Sequence, residues 1–203
     1  VLLEHFFGAL LLTPLLFKGW QEIKTLPNRA WISVLWVSLF GGLLGTFFYT
    51  KALSYINYID LSVVVLLQKF QPFFAIGLAA VLLREPLTKN YLICAVAAIA
   101  GGYLVTFENG LPVMEMDDKT LIAGLMALCA AFAWGSSTVL GKHALKHLSF
   151  FSLTGLRLWI TTFIAVVVIL FMGNSPMDGS LNKTEWLTIL TIVLSTGTVA
   201  LFI

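Results

Sequence analysis

The stretch LSVVVLLQKFQPFFAIGLAAVLL, residues 61–83, decides how this chain is read. A helix crossing the hydrocarbon core of a bilayer needs about 20 mainly apolar residues, and this run meets that length. Its middle is nevertheless polar, reading Gln68-Lys69-Phe70-Gln71-Pro72. At a rise of about 1.5 Å per residue, Lys69 lies about 4.5 Å from the midpoint of the span. An ammonium at that depth costs roughly 2.5–3.5 kcal/mol on insertion scales, a cost met when the group faces a watery cavity or a partner. Gln68 and Gln71 add amides at the same depth. Pro72 has no N–H, so the carbonyl of Gln68 loses its usual helical donor. A polar, interrupted helix at mid-membrane is where transporters place substrate sites. The structural alternative is that Lys69 pairs with a buried carboxylate or with carbonyls and only holds the bundle together.

Composition agrees with a membrane solvent. Of 203 residues, 59% are hydrophobic and 11% charged, and the mean hydropathy is +0.95. A soluble domain carries about 25% charged residues, so this chain lacks the polar groups to cover a globular surface. The net charge of +2, spread over scattered basic residues, argues against a nucleic-acid partner. Cys94 and Cys129 stand singly in apolar runs and offer neither a disulfide nor a zinc framework.

Working outward, seven apolar runs are expected to be membrane helices: roughly 1–17, 31–56, 61–83, 90–107, 121–141, 150–172 and 186–203. The first and last read as incomplete, with neighbouring segments expected beyond them. The runs are continuous rather than alternating, which favours helices over a β-barrel. Alternate loops carry Lys18, Lys24 and Arg29, then Arg84 and Lys89, then Lys142 and Lys146, against only Lys119 and Lys183 on the other side. Basic loops stay in the cytoplasm, so the first helix is expected to run inward from outside. Small residues four apart, Gly41 with Gly45, Ala97 with Gly101, Ala98 with Gly102, and Ala127, Ala131 and Gly135, suit close helix packing.

Other polar residues divide into site candidates and bland ones. Arg157 either snorkels from the cytoplasmic end of its helix or lines an inner vestibule. Glu4 is a candidate counter-charge or proton carrier, with His5 beside it, and Lys69 can also lose a proton when buried. Trp134, followed by Gly135 and three hydroxyl residues, lines a cavity or else sits beside hydroxyls that bond back to their own helix. Lys51, among Tyr49, Tyr55 and Tyr58, reads as an interfacial anchor. His143 and His147 have a metal-capable spacing but no third ligand near them, so a solvated loop is the expectation. The sequon at Asn182 reads as chance. No nucleotide-binding loop, serine-hydrolase elbow or zinc-protease motif occurs, and no cofactor or metal is expected.

Residues 121–162, with Trp134-Gly135, Gly141-Lys142 and Leu156-Arg157, resemble the start of an EamA-type repeat of the drug/metabolite transporter superfamily. Gly41 to Phe107 is similar to helices three to five of the preceding repeat, with Pro72, Glu85, Gly101 and Gly102 at matching positions. The resemblance implies an all-α polytopic membrane protein, a ten-helix bundle of two inverted five-helix repeats, of which this chain holds helices two to eight. The repeats would divide at 1–112 and 113–203. Residues 194–203 overlay on 40–49, an offset of 154 residues. The expected function is secondary transport of a small metabolite by alternating access across the inner (plasma) membrane, in the export direction. Lys69, Gln68, Gln71, Pro72, Trp134 and Arg157 would contact a small-molecule substrate, the ammonium suiting an anionic one, and Glu4 or Lys69 would carry a coupled proton. A membrane receptor or scaffold, and an intramembrane lipid-modifying enzyme, are the alternatives.

Overall fold

A computed structural model describes residues 1–106, 118–173 and 182–198. Every regular element among them is helical, and the protein is an all-α polytopic membrane protein. In chain order these are α1 (Leu2–Lys18), α2 (Trp20–Lys24), α3 (Asn28–Trp36), a π-helical segment π1 (Val37–Leu44), α4 (Gly45–Leu53), α5 (Leu61–Gln68), α6 (Gln71–Leu82), α7 (Lys89–Thr106), α8 (Asp118–Ala144), α9 (Phe150–Phe171), α10 (Lys183–Ile192) and a second π-helical segment π2 (Val193–Thr198). Among the described residues, four helical segments are long and apolar enough to cross a membrane: Asn28–Leu53, Leu61–Leu82, Asp118–Ala144 and Phe150–Phe171. The seven expected runs each coincide with helix, apart from the residues of the fourth and last runs that lie outside the described ones.

The chain forms two compact units, Val1–Leu43 with Leu140–Ile203, and Leu44–Val139. In the first, α1 and α9 pack along most of their length. Small residues let them approach: Leu158 lies 3.4 Å from a Cβ placed on Gly8, and Leu16 lies 3.0 Å from one on Gly155. Trp159 closes the seam, donating its indole N–H to Thr13 Oγ1 at 3.1 Å. A buried cluster of Ile23, Leu26, Ala30, Val34, Ala144, Leu148, Leu153 and Leu156 holds the end of the unit where α2, α3 and α9 begin. Glu22 ties the same corner, accepting a 2.8 Å hydrogen bond from the backbone N–H of Ser149, the residue before α9. That bond, with help from the Ser152 hydroxyl, holds the Glu22 carboxyl below the usual carboxylate range.

π1 has a visible cause in a contact from α9. Thr161 of α9 donates its hydroxyl to the carbonyl of Ser38 at 2.9 Å. The same side chain fills the place where a Cβ on Gly42 would stand. A side chain inserted into the hydrogen-bond ladder widens the turn, and π turns arise at such points. π2 packs on α1.

In the second unit, Ala52, Ile59, Val63, Val64, Ala123 and Ala127 are buried together. Asp60 caps α5, its side chain accepting from Ser62 N at 2.9 Å. Thr120 reaches from the start of α8 to the Tyr58 carbonyl at 2.8 Å. Lys51 lies over the Tyr55 ring at 5.5 Å, as an interfacial lysine is expected to do. Of the small-residue seams, Ala127 and Ala131 are buried, and Gly135 makes a tight contact described below. Gly101 has nothing within 4 Å of a Cβ built on it, so the Ala97–Gly101 pair makes no close seam among the described residues.

Candidate functional site

The interruption expected at Gln68–Pro72 is present. α5 ends at Gln68 and α6 begins at Gln71, leaving Lys69 and Phe70 between them at ψ −6. Their N–H groups bond three residues back, Lys69 to Leu66 at 3.0 Å and Phe70 to Leu67 at 3.1 Å, and Phe73 bonds to Phe70 at 3.0 Å. The turn is therefore tightened to a 3₁₀ pattern on both sides of Pro72, which stands in the first turn of α6 where its missing N–H is tolerated.

The side chains of this turn present hydrogen-bonding groups. Gln68 donates its amide to Gln71 Oε1 at 3.1 Å. An amide has two donors and a carbonyl with two acceptor sites. One shared bond leaves an acceptor on Gln68 and a donor on Gln71 for something else. Lys69 is exposed, and no hydrogen-bond or ion-pair partner of its ammonium occurs among the described residues. The expectation that it is satisfied by a buried carboxylate finds no counterpart there.

α8 packs against this turn at Gly135. A Cβ there would stand 2.8 Å from the Gln71 carbonyl, 3.0 Å from Phe74 Cβ and 3.1 Å from Ala75 N. The adjacent Trp134 is half-buried and lies against Tyr49, ring centres 5.4 Å apart. Phe74 meets Phe132 edge-on at 5.6 Å. Two of the three hydroxyls after Trp134 bond back to their own helix: Ser136 to Ala133 O at 2.9 Å and Thr138 to Trp134 O at 2.9 Å. Pro72 also lines an open and almost wholly apolar groove of about 340 Å³, with Ile76, Thr88, Asn90, Tyr91, Cys94 and Ala95. Ligand pockets run from about 300 to 1,000 Å³. Lys69, Gln68, Gln71, Pro72 and Trp134 thus belong to one unit. Glu4 and Arg157 belong to the other: Glu4 is half-buried in the first turn of α1, and Arg157 is half-buried on α9 with its Nε buried and without a hydrogen-bond partner.

Several features were not visible in the sequence. The Gly135–Gln71 approach joins residues far apart in the chain. Ser33 Oγ lies 2.9 Å from His143 Nδ1, so His143 packs on α3 and is not a freely solvated loop residue. Asn182 is the N-cap of α10 in a reciprocal capping box with Glu185, which is its structural use. No group of three or more metal-ligating side chains occurs among the described residues.

The helices and their apolar spans define an all-α polytopic membrane protein. The EamA-like transporter family matches residues 1–107 and 121–203, and the chain belongs to that family. It is 45% identical over 154 residues to the riboflavin transporter ImpX of Fusobacterium nucleatum subsp. nucleatum, an overlap covering 76% of this chain and 52% of that protein. The chain thus spans about half the length of the curated relative it matches. A protein of known crystal structure superposes with a TM-score of 0.52 at 17% identity, covering 95% of this chain and 73% of the other, a likeness of fold alone.

Proposed function

We propose that this protein is a secondary transporter that moves riboflavin, or a closely related flavin, across the inner (plasma) membrane by alternating access of two inverted five-helix repeats divided near residues 112 and 113. The observation that carries the reading is the interrupted helix at Gln68–Pro72, with its amide pair and unpartnered ammonium. It occurs in a chain 45% identical to a named riboflavin transporter. The flavin ring ends in an imide edge, an N–H flanked by two carbonyls. Gln68 and Gln71 keep an acceptor and a donor free, which complement the N–H and one carbonyl of that edge. Riboflavin is uncharged at neutral pH, so Lys69 acts on it as a hydrogen-bond donor to a ring carbonyl or a ribityl hydroxyl. The anionic substrate expected from an ammonium corresponds instead to the phosphorylated flavin. Trp134 and the apolar groove beside Pro72 suit the flat dimethylbenzene side of the ring.

The test is flux through the full-length protein in liposomes, with riboflavin and its phosphate presented on either face. Saturable riboflavin movement is expected, and which face is productive decides between the expected export and uptake. A charge-assisted hydrogen bond is worth about 1.5–3 kcal/mol, so Lys69→Met is expected to lower riboflavin flux about tenfold to a hundredfold. Unchanged flux in Lys69→Met removes Lys69 from the substrate. Absence of riboflavin flux in the parent protein overturns the substrate assignment.

A further inference from the structure

The end of the first unit where α2, α3 and α9 begin gathers positive charge that the flavin site does not use. α3 packs on the end of α8 through Ala30 and Ala144, both fully buried in one cluster with Ile23, Leu26 and Leu148. Side chains this small let two helices come close. Ser33, one turn after Arg29 on the same face of α3, stands with its Oγ 2.9 Å from His143 Nδ1. The His143 ring meets that of His147 edge-on, centres 6.1 Å apart. Lys146 lies between them and His147 in the turn that follows α8. Arg29, Lys146 and His147 are exposed on this seam, while His143 is half-buried in it.

Carboxylates are scarce around these cations. The sequence has no Asp or Glu from Ile23 to Ile59, nor from Lys119 to Met177. Glu22, which does reach this corner, is committed to the Ser149 N–H at 2.8 Å. Lys18 and Lys24, both exposed, add charge of the same sign at the end of α1 and in α2. The bonds from Glu22 to Ser149 and from Ser33 to His143 fix the elements, so a ligand finds the cations already assembled. Apolar side chains stand exposed beside them: Ile32, three residues on from Arg29, then Leu35, with Leu145 next to Lys146. Ile32 and Leu35 lie inside the span Asn28–Leu53, of which Arg29 is the second residue. The threading expected from the basic loops puts this end at the cytoplasmic surface, where anionic lipids concentrate.

We propose that Arg29, Lys146 and His147 form a site for the phosphate headgroup of an anionic phospholipid in the cytoplasmic leaflet, whose acyl chains lie along Ile32 and Leu35. The planar guanidinium of Arg29 suits two parallel hydrogen bonds to phosphate oxygens. The Lys146 ammonium adds a point charge, and the exposed His147 ring offers an N–H. His143, anchored on Ser33, is a positioning residue that holds the His147 ring in place. A free phosphate would use the cations and leave the apolar side chains unused. Cations at the mouth of a span, with exposed apolar residues running from them into it, match the two halves of a lipid. The site belongs to the first unit, whereas the Gln68–Pro72 break belongs to the second, so lipid binding does not depend on which solute is carried.

The test titrates phosphatidylglycerol or phosphatidylcholine into detergent micelles of the full-length protein and counts retained lipid by native mass spectrometry. Phosphatidylglycerol is expected to be held more tightly. Each basic residue near an anionic lipid surface strengthens binding about fivefold. Arg29→Gln and Lys146→Gln are therefore each expected to weaken phosphatidylglycerol retention about fivefold, and about 25-fold together. Arg29→Lys should restore part of the loss. Lys183→Gln, the same charge change in the first turn of α10 on the side poor in basic residues, should leave retention unchanged. Equal retention of the two lipids by the parent overturns the proposal. So does a preference that survives the double substitution, or one that Lys183→Gln lowers equally. Should the double variant not fold, Lys146→Gln alone decides, since Lys146 lies in a turn outside the helices. Inorganic phosphate or riboflavin phosphate that displaces phosphatidylglycerol at equal concentration marks a site for free phosphate and overturns the lipid. A parent protein that moves no riboflavin but keeps the lipid preference refutes the substrate and supports the lipid site.

Discussion

Replacing Gly135 by alanine tests how tightly the broken turn is held. The added Cβ would meet the Gln71 carbonyl at 2.8 Å, Phe74 Cβ at 3.0 Å and Ala75 N at 3.1 Å. Two of these three atoms are backbone, so no flexible side-chain tip can swing aside, and α6 or α8 must shift. Extra methyl groups in a packed interior destabilise by about 1–3 kcal/mol. Alanine also favours the helix over glycine by about 0.5–1 kcal/mol, a gain that appears alone where there is space. Gly77, about two helix turns beyond the break on α6, supplies that control, because nothing lies within 4 Å of its Cβ position. Gly135→Ala is therefore expected to be less stable than Gly77→Ala by about 1–3 kcal/mol, the overpacking term. Equilibrium unfolding of the full-length protein in mixed micelles reads the difference. Riboflavin binding to the two variants then shows whether moving the Gln71 carbonyl disturbs the site. Equal stability of the two would refute the tight approach of α8 to the turn, and with it the idea that α8 sets the position of the Gln68–Gln71 pair.

Two further outcomes are expected. Pro72→Ala restores an N–H that can reach the Gln68 carbonyl, worth about 1 kcal/mol; amides from 69 to 74 should exchange more slowly and flux should fall, and undiminished flux with a straightened helix would mean that the break is dispensable. The Glu22 carboxyl is held below its ordinary value of 4.5, first by the Ser149 N–H. A depressed folded value gives stability that is full above the unfolded value and is lost as pH falls through the folded one. Glu22→Gln should thus be less stable than the parent at pH 7, with the gap closing below about pH 4; a gap that stays constant down to pH 3 would show that the Ser149 bond does not depend on the charge.

The fold was legible because lipid permits so few architectures. Runs such as 61–83 and 150–172 declare their helices by length and hydropathy alone, with no need of long-range information. The break was legible too, because Pro72 acts on Gln68 through local covalent geometry, and because amides and an ammonium at mid-span have few bland explanations. Contacts between distant residues were not legible. Nothing near Ser38 in the sequence announces a π turn, since its cause, the Thr161 hydroxyl, arrives from a helix more than a hundred residues away. The pairing of Ser33 with His143 is of the same kind. Small-residue spacing proved informative at Gly135 and uninformative at Gly101, because the spacing states only that a close approach is permitted.

The wide turns of π1 give the span Asn28–Leu53 one residue more than α-helical register requires. Such a spare residue is not fixed to one place: exchanging hydrogen bonds one at a time passes it along the helix. Each side chain it passes is turned by about 100°, one residue's share of a 3.6-residue turn, while both ends of the span keep their depth and facing. Thr161, by holding the Ser38 carbonyl, parks the spare residue of π1 near the middle of Asn28–Leu53. A span built this way can change which side chains it shows at mid-depth without sliding, tilting or unwinding where it enters and leaves the lipid.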